Sequence, residues 1–155
     1  MAKKIVLVRH GQAEPARPMT GDAGRKLTLG GRQMLERAYP EAFSQFGADG
    51  APVEIWTSSS ARTRQTAAVI AGVLGISEDD IFLSGPLTKR DARRTTEELL
   101  ACGHTVIAVG HHPSIDDVAS ELTGRMRTMA RGEALCLDAR GGRRRMRVLW
   151  DCTPR

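Results

Sequence analysis

Apolar residues fall along this chain in two alternating patterns, short unbroken runs and spaced stripes. Ile5-Val6-Leu7-Val8, within residues 4–8, is apolar throughout and rich in β-branching, which predicts a strand covered on both faces. Further strands are predicted at residues 53–57, 81–84 and 105–109. Between these runs the spacing becomes helical. Leu35, Tyr39, Phe43 and Phe46 predict a helix from near Gly31, which Pro40 should kink or split. Residues 61–74 predict a second helix, with Ser58-Ser59-Ser60 as an N-cap cluster and Gly75 as its stop. Its Thr66, Ile70, Val73 and Leu74 share one face. Residues 95–101 read as a helix. Pro113 suits the first turn of another, whose Ile115, Val118, Ala119 and Leu122 follow i, i+3, i+4, i+7 spacing. The tail reads as a hairpin, residues 134–138 and 146–150, turning at Gly141-Gly142.

Strands alternating with helices predict an α/β fold, a mainly parallel sheet with helices on both faces and a C-terminal β-hairpin. At 155 residues the chain reads as one domain, 1–155, with no internal repeat and no linker. Residues 12–31 form a long segment rich in Gly, Pro and charge, and loops of that length in compact domains usually carry function.

Composition narrows the partners. Hydrophobic residues at 41% and charged residues at 26% are globular values, so disorder is not expected. Aromatics at 4% argue against base-stacking recognition of single-stranded nucleic acid. A net charge of +5 suits an anionic substrate, but equally nucleic acid or a membrane surface. The cluster Arg140, Arg143, Arg144, Arg145 and Arg147 coincides with the Gly-Gly turn and reads as a solvated hairpin tip, without aromatics or a nucleic-acid motif. Cys102, Cys136 and Cys152 are odd in number and lack metal or redox spacing, which fits a reducing cytoplasm. The two N-terminal lysines precede no apolar stretch long enough for a signal peptide or a membrane span. A cytoplasmic protein without a membrane partner is expected.

Three strand ends carry chemistry. The first ends in Arg9-His10-Gly11, the second leads into a helix with Arg62 in its first turn, and the third ends in Gly110-His111-His112-Pro113. Ligands of parallel sheets bind at the carboxyl ends of the strands, so these segments can converge. Two guanidinium groups and two imidazoles make a cationic pocket for a dianionic phosphoryl group, and a neutral histidine is a nitrogen nucleophile. Gly11 lets the backbone approach a ligand closely. Gln12 could touch a phosphate oxygen or cap the loop. Arg25, with Arg17 and Lys26, could line the mouth of the site or be plain surface charge. Arg64 follows Arg62 by two and should face elsewhere. His112 reads as a rim residue at a helix start that could contact substrate. His111, His112, Asp116 and Asp117 lack ligand spacing, so neither a metal nor a cofactor is expected. A general acid is sought among Asp91, Glu14 and Asp22.

These motifs resemble the histidine phosphatase superfamily, also called the phosphoglycerate mutase-like fold. Arg9, His10 and Gly11 match its Arg-His-Gly opening. Ser58 to Ala67 match its Ser-Pro-x-x-Arg-Ala-x-Gln-Thr-Ala signature, with Ser59 in place of Pro and Thr63 in place of Ala. His111 matches its second histidine. The resemblance implies that His10 is the phosphorylated nucleophile and that Arg9, Arg62 and His111 hold the phosphoryl oxygens. Arg62 and His111 lie 49 positions apart, leaving no room for the larger insertion that supplies a Glu proton donor in mutases and many sugar phosphatases. The compact layout is similar to the small SixA-type phosphohistidine phosphatases, which implies a phosphohistidine-bearing phosphorelay protein as partner. A phosphoimidazole can be protonated on its own second nitrogen, so it suits a site without a placed acid. The alternatives are a small-molecule phosphomonoesterase, a non-catalytic phosphoprotein-binding module and a basic nucleic-acid binder.

Overall fold

The apolar runs become neighbouring strands of one six-stranded sheet, ordered β3-β2-β4-β1-β5-β6. The structure is a computed structural model describing residues 3–19, 21–44, 46, 51–141 and 145–155. Strands β1 (Lys4–Arg9), β2 (Val53–Thr57), β3 (Phe82–Leu83) and β4 (Thr105–Gly110) are mutually parallel. β5 (Ala134–Asp138) pairs antiparallel with β1, and β6 (Val148–Cys152) antiparallel with β5. The helices are α1 (Leu29–Ala42), α2 (Ala61–Leu74), α3 (Gly85–Thr88), α4 (Ala92–Ala101) and α5 (Ser114–Thr123).

Strand alternation divides the core in two. Val6 and Val8 of β1, Ile107 and Val109 of β4 and Ile55 of β2 pack with Leu35 and Tyr39 of α1 and Ala67 and Ile70 of α2. Ile5 and Leu7, Val106 and Ala108, and Trp56 face the other way, onto Leu99 of α4 and Ile115, Val118, Ala119 and Leu122 of α5. Successive strand side chains point to opposite faces, and here both faces are covered, which is why the runs carry no polar alternation.

Several boundaries differ from the sequence reading. Helix α1 begins at Leu29, where the Thr28 side chain accepts from Gly31 N, and it runs unbroken through Pro40. Pro40 lies two residues from the helix end, so its missing donor disturbs only the last turn and no second helical piece forms. β3 keeps two residues of the predicted four, because it is a short exposed edge strand. Helix α3 was not foreseen, and α4 starts three residues early because Asp91 caps it, accepting from Arg94 N. Pro113 takes the N-cap position of α5 rather than its first turn. β6 is displaced two residues toward the C-terminus. Met146 is buried and its N–H donates to Leu122 O at the end of α5, so it cannot join the ladder. A bulge between Cys136 and Leu137 lets Val148 pack on one face while Trp150 and Cys152 pack on the other. Gly142, Arg143 and Arg144 of the predicted turn lie outside the described residues.

Candidate active site

Strand register brings the three motifs to one level. Arg9 of β1 pairs with Gly110 of β4, and Val109 pairs with Thr57 of β2. The ladders continue one residue further, with His10 N donating to Gly110 O (3.2 Å) and Ser58 N to Val109 O (3.3 Å). His10, Ser58 and His111 therefore leave the sheet side by side, and the two imidazole centroids lie 5.5 Å apart.

Arg62 stands between the imidazoles. It sits at the second position of α2, its side chain 3% exposed, with Nε 3.3 Å from His10 Nε2 and Nη2 3.2 Å from His111 Nδ1. A guanidinium only donates, so both ring nitrogens accept, and this fixes the tautomers. His10 must carry its proton on Nδ1, which donates to Gly11 O (2.7 Å). His111 must carry it on Nε2, which donates to Ser58 Oγ (2.7 Å). Burial pushes the His10 pKa down to about 4, opposed by the Gly11 carbonyl and reinforced by Arg62, Arg9 and Arg25. His111 is pushed down to about 3, by burial first and then by Arg90, Arg62 and His10, with Asp22 opposing. Both rings are neutral at pH 7, and His10 Nε2 holds an unprotonated lone pair among arginines.

The other signature residues build the walls. Ser58 Oγ, which accepts the hydrogen bond from His111 Nε2–H, is itself 2.8 Å from Thr63 Oγ1. Thr63 also lies 2.8 Å from Ser60 Oγ, so Ser60, although at the N-cap position of α2, does not cap it with its side chain. Thr63, one of the two departures from the family signature, thus anchors the serine that orients His111. Gly11 N donates to Thr66 Oγ1 (3.2 Å), tying the β1 motif to α2. A Cβ at Gly11 would come within 3.0 Å of Leu35 Cδ1, so the residue is wedged tightly against α1. Arg9 Nη1 donates to Met129 O (2.8 Å), while Arg9 Nε is buried with no partner among the described residues.

The long loop contributes through Asp22. Its Oδ2 accepts from Arg62 Nη2 (3.0 Å) and Arg90 Nη2 (2.9 Å), its Oδ1 from Arg25 Nη1 (3.2 Å), and its main-chain oxygen from Arg62 Nη1 (2.7 Å). The Arg62 hydrogen bond, with those of Arg25 and the charge of Arg90, holds the Asp22 carboxyl down to about 2 against its partial burial. Asp22 is therefore ionised and cannot supply a proton at neutral pH. Arg25 reaches the site's rim through Asp22, its Nε donating to Glu14 O (2.6 Å). Glu14 enters through its backbone, also donating its N–H to Lys26 O. Gln12 is exposed and uses its carbonyl to accept from Thr28 N. Asp91 spends its carboxylate on the α4 cap. Arg17, Lys26 and Arg64 are exposed. His112 is half-exposed, with Nδ1 2.5 Å from Oδ2 of the buried Asp116, whose Oδ1 accepts from Met129 N. Sequence reasoning missed Arg90 and the roles of Ser58, Thr63 and Asp116; the signature spacing marked Ser58 and Thr63, Asp116 was weighed only as a metal ligand, and nothing in the sequence marked Arg90.

Among the described residues, no group of three or more His, Cys, Asp or Glu side chains could hold a metal ion. No helix among them is long and apolar enough to cross a membrane. The three cysteines are free.

The model of the histidine phosphatase superfamily, branch 1, matches residues 5–81, a span holding Arg9, His10 and Arg62. No curated protein sequence matches the chain. Solved structures do. SixA from Agrobacterium tumefaciens, a candidate phosphohistidine phosphatase, is 21% identical with a TM-score of 0.81 over 99% of both chains. A protein histidine phosphatase SixA complexed with tungstate is 18% identical, TM-score 0.78, over 97% of both. The mycobacterial glucosyl-3-phosphoglycerate phosphatase is 17% identical, TM-score 0.69, over 96% of this chain and 98% of that one. These likenesses establish the phosphoglycerate mutase-like fold.

Proposed function

Since the chain belongs to the histidine phosphatase superfamily, we propose that it is a phosphatase that passes the phosphoryl group through His10, with phosphohistidine on a phosphorelay protein as its substrate. The observation that carries this reading is the His10 ring itself. Its Nδ1–H is committed to Gly11 O, which leaves the Nε2 lone pair beside the Arg62 guanidinium. A nucleophilic imidazole must be neutral, and a pKa of about 4 keeps it so at physiological pH.

In the first step the Nε2 lone pair forms a bond to phosphorus in line as the substrate's P–N bond breaks. The departing nitrogen keeps the bonding pair, and the leaving imidazole is neutral because its other nitrogen already bears a proton. Arg9, Arg62 and His111 stabilise charge on the equatorial oxygens. In the second step water attacks phosphorus, the P–Nε2 bond returns its pair to His10, and inorganic phosphate leaves.

The substrate class rests on the carboxylates. An alkoxide leaving group needs a proton from the enzyme, yet Asp22 is ionised by its arginines and Asp91 is occupied as a helix cap. That arrangement favours a phosphoimidazole over a phosphate monoester. The structural likeness to a SixA protein histidine phosphatase that binds tungstate, a tetrahedral oxyanion, supports the same reading. The test is a turnover comparison between a phosphohistidine-bearing phosphorelay domain and a panel of phosphometabolites. The domain is expected to be dephosphorylated faster, and faster cleavage of sugar phosphates would overturn the substrate assignment.

A further inference from the structure

Arg90 has no place in the sequence motifs, yet it is one of two non-glycine residues among those described that hold a positive φ, at +56°. Such a backbone conformation costs energy for a side-chain-bearing residue, and strain of this kind collects at functional sites. Arg90 follows α3, and its N–H donates to Leu87 O. Its guanidinium meets Arg62 across a single oxygen, Asp22 Oδ2, at 2.9 Å from Arg90 Nη2 and 3.0 Å from Arg62 Nη2. An anionic oxygen bridging two guanidinium groups, one of them touching both imidazoles, is what a bound phosphoryl oxygen would look like. Asp22 is 54% exposed on its loop, whereas Arg62 is 3% exposed and fixed. The carboxylate is the movable member.

We propose that Arg90 is a third oxyanion-binding arginine of the site and that Asp22 Oδ2 marks the position of a phosphoryl oxygen, which displaces the carboxylate when substrate arrives. This rests on the phosphoryl pocket proposed above. A phosphoryl dianion carries more charge than a carboxylate and offers three oxygens, so it outcompetes Asp22 for the Arg62–Arg90 pair. Arg25, already bound to Asp22 Oδ1, retains the displaced carboxylate.

Binding of inorganic phosphate, measured by calorimetry and so independent of turnover, tests this. Arg90→Gly removes the guanidinium and tolerates the positive φ, so its effect is not a folding defect. It is expected to weaken phosphate binding roughly tenfold or more, the scale of one charge-assisted hydrogen bond, with Arg90→Lys restoring part of it. Asp22→Asn and Asp22→Ala remove the competing charge and are expected to tighten binding about severalfold. Opposite signs for the two positions are the expected result. If Arg90 only anchored the loop through Asp22, both substitutions would break one contact and shift affinity in the same direction, which would overturn the proposal. Arg62→Ala separates the two claims: it should abolish phosphate binding, and unchanged binding would refute the phosphoryl pocket itself.

Discussion

His10 and His111 are held as opposite tautomers by one guanidinium, and everything chemical at this site follows from which nitrogen of each ring carries the proton. Ser58 enforces the arrangement at His111 by accepting the hydrogen bond from its Nε2–H, and Thr63 holds Ser58. Ser58→Ala should therefore leave the ring free to turn and lower kcat/KM roughly tenfold or more, the usual scale for removing a partner that orients a functional histidine. The thermal midpoint and kcat/KM should be measured together; kcat/KM unchanged in a folded variant would show that Ser58 does not position His111. Arg9, His10, Arg62 and His111 could be read from the sequence because each ends a strand or starts a helix, and parallel strands bring such ends together. Arg90, and the bridge that Asp22 makes between it and Arg62, could not. Arg90 and Asp22 are 68 positions apart, one in a turn and the other mid-loop, and neither periodicity nor capping rules say which way a loop carboxylate points.

Elements fix that geometry through close approaches. The segment from His10 to Leu27 is pinned against α1 at Gly31, where an added Cβ would lie 2.4 Å from Gln12 O. Gly31→Ala must push that backbone away, and it should destabilise the fold by about 1–3 kcal/mol, as overpacking does. Urea unfolding checks this, and a loss smaller than the fitting error would mean that the loop yields freely. The strands, α2 and the face of α5 were legible because apolar spacing alone decides them. The exceptions each have a local cause. Pro40 does not split α1 because it falls in the last turn, with only Glu41 and Ala42 of the helix after it. β6 slid by two residues because Met146 found a better partner in α5 than in β5. α3 is a single turn, initiated by Ser84 accepting from Leu87 N, and four residues are too few to show a period.

The whole molecule registers its active site as pH dependence of stability. His10 and His111 titrate at about 4 and about 3 when folded, against 6.5 for an ordinary imidazole. Between those values the unfolded chain binds protons that the folded protein refuses, so stability is full above about pH 6.5 and falls as pH drops toward 4 and then 3. Asp22 adds a separate loss below its ordinary 3.8, as pH falls toward about 2. Replacing both histidines with Asn should flatten the curve between pH 6.5 and 4, and an unaltered curve would mean that the rings are not held neutral. The mainly parallel sheet with helices on both faces follows from alternating strands and helices, and this much of the architecture was plain from the apolar pattern, whereas the strand order came only with the structure. The central claim is that His10 Nε2 becomes the phosphoryl carrier. It is tested most directly by rapid-quench trapping during turnover, followed by ³¹P and ¹⁵N NMR of the acid-labile adduct. The account predicts a phosphoryl group on Nε2 of His10, absent from His10→Ala; a phosphoryl group on another residue or on Nδ1, or steady turnover with no adduct, would contradict it.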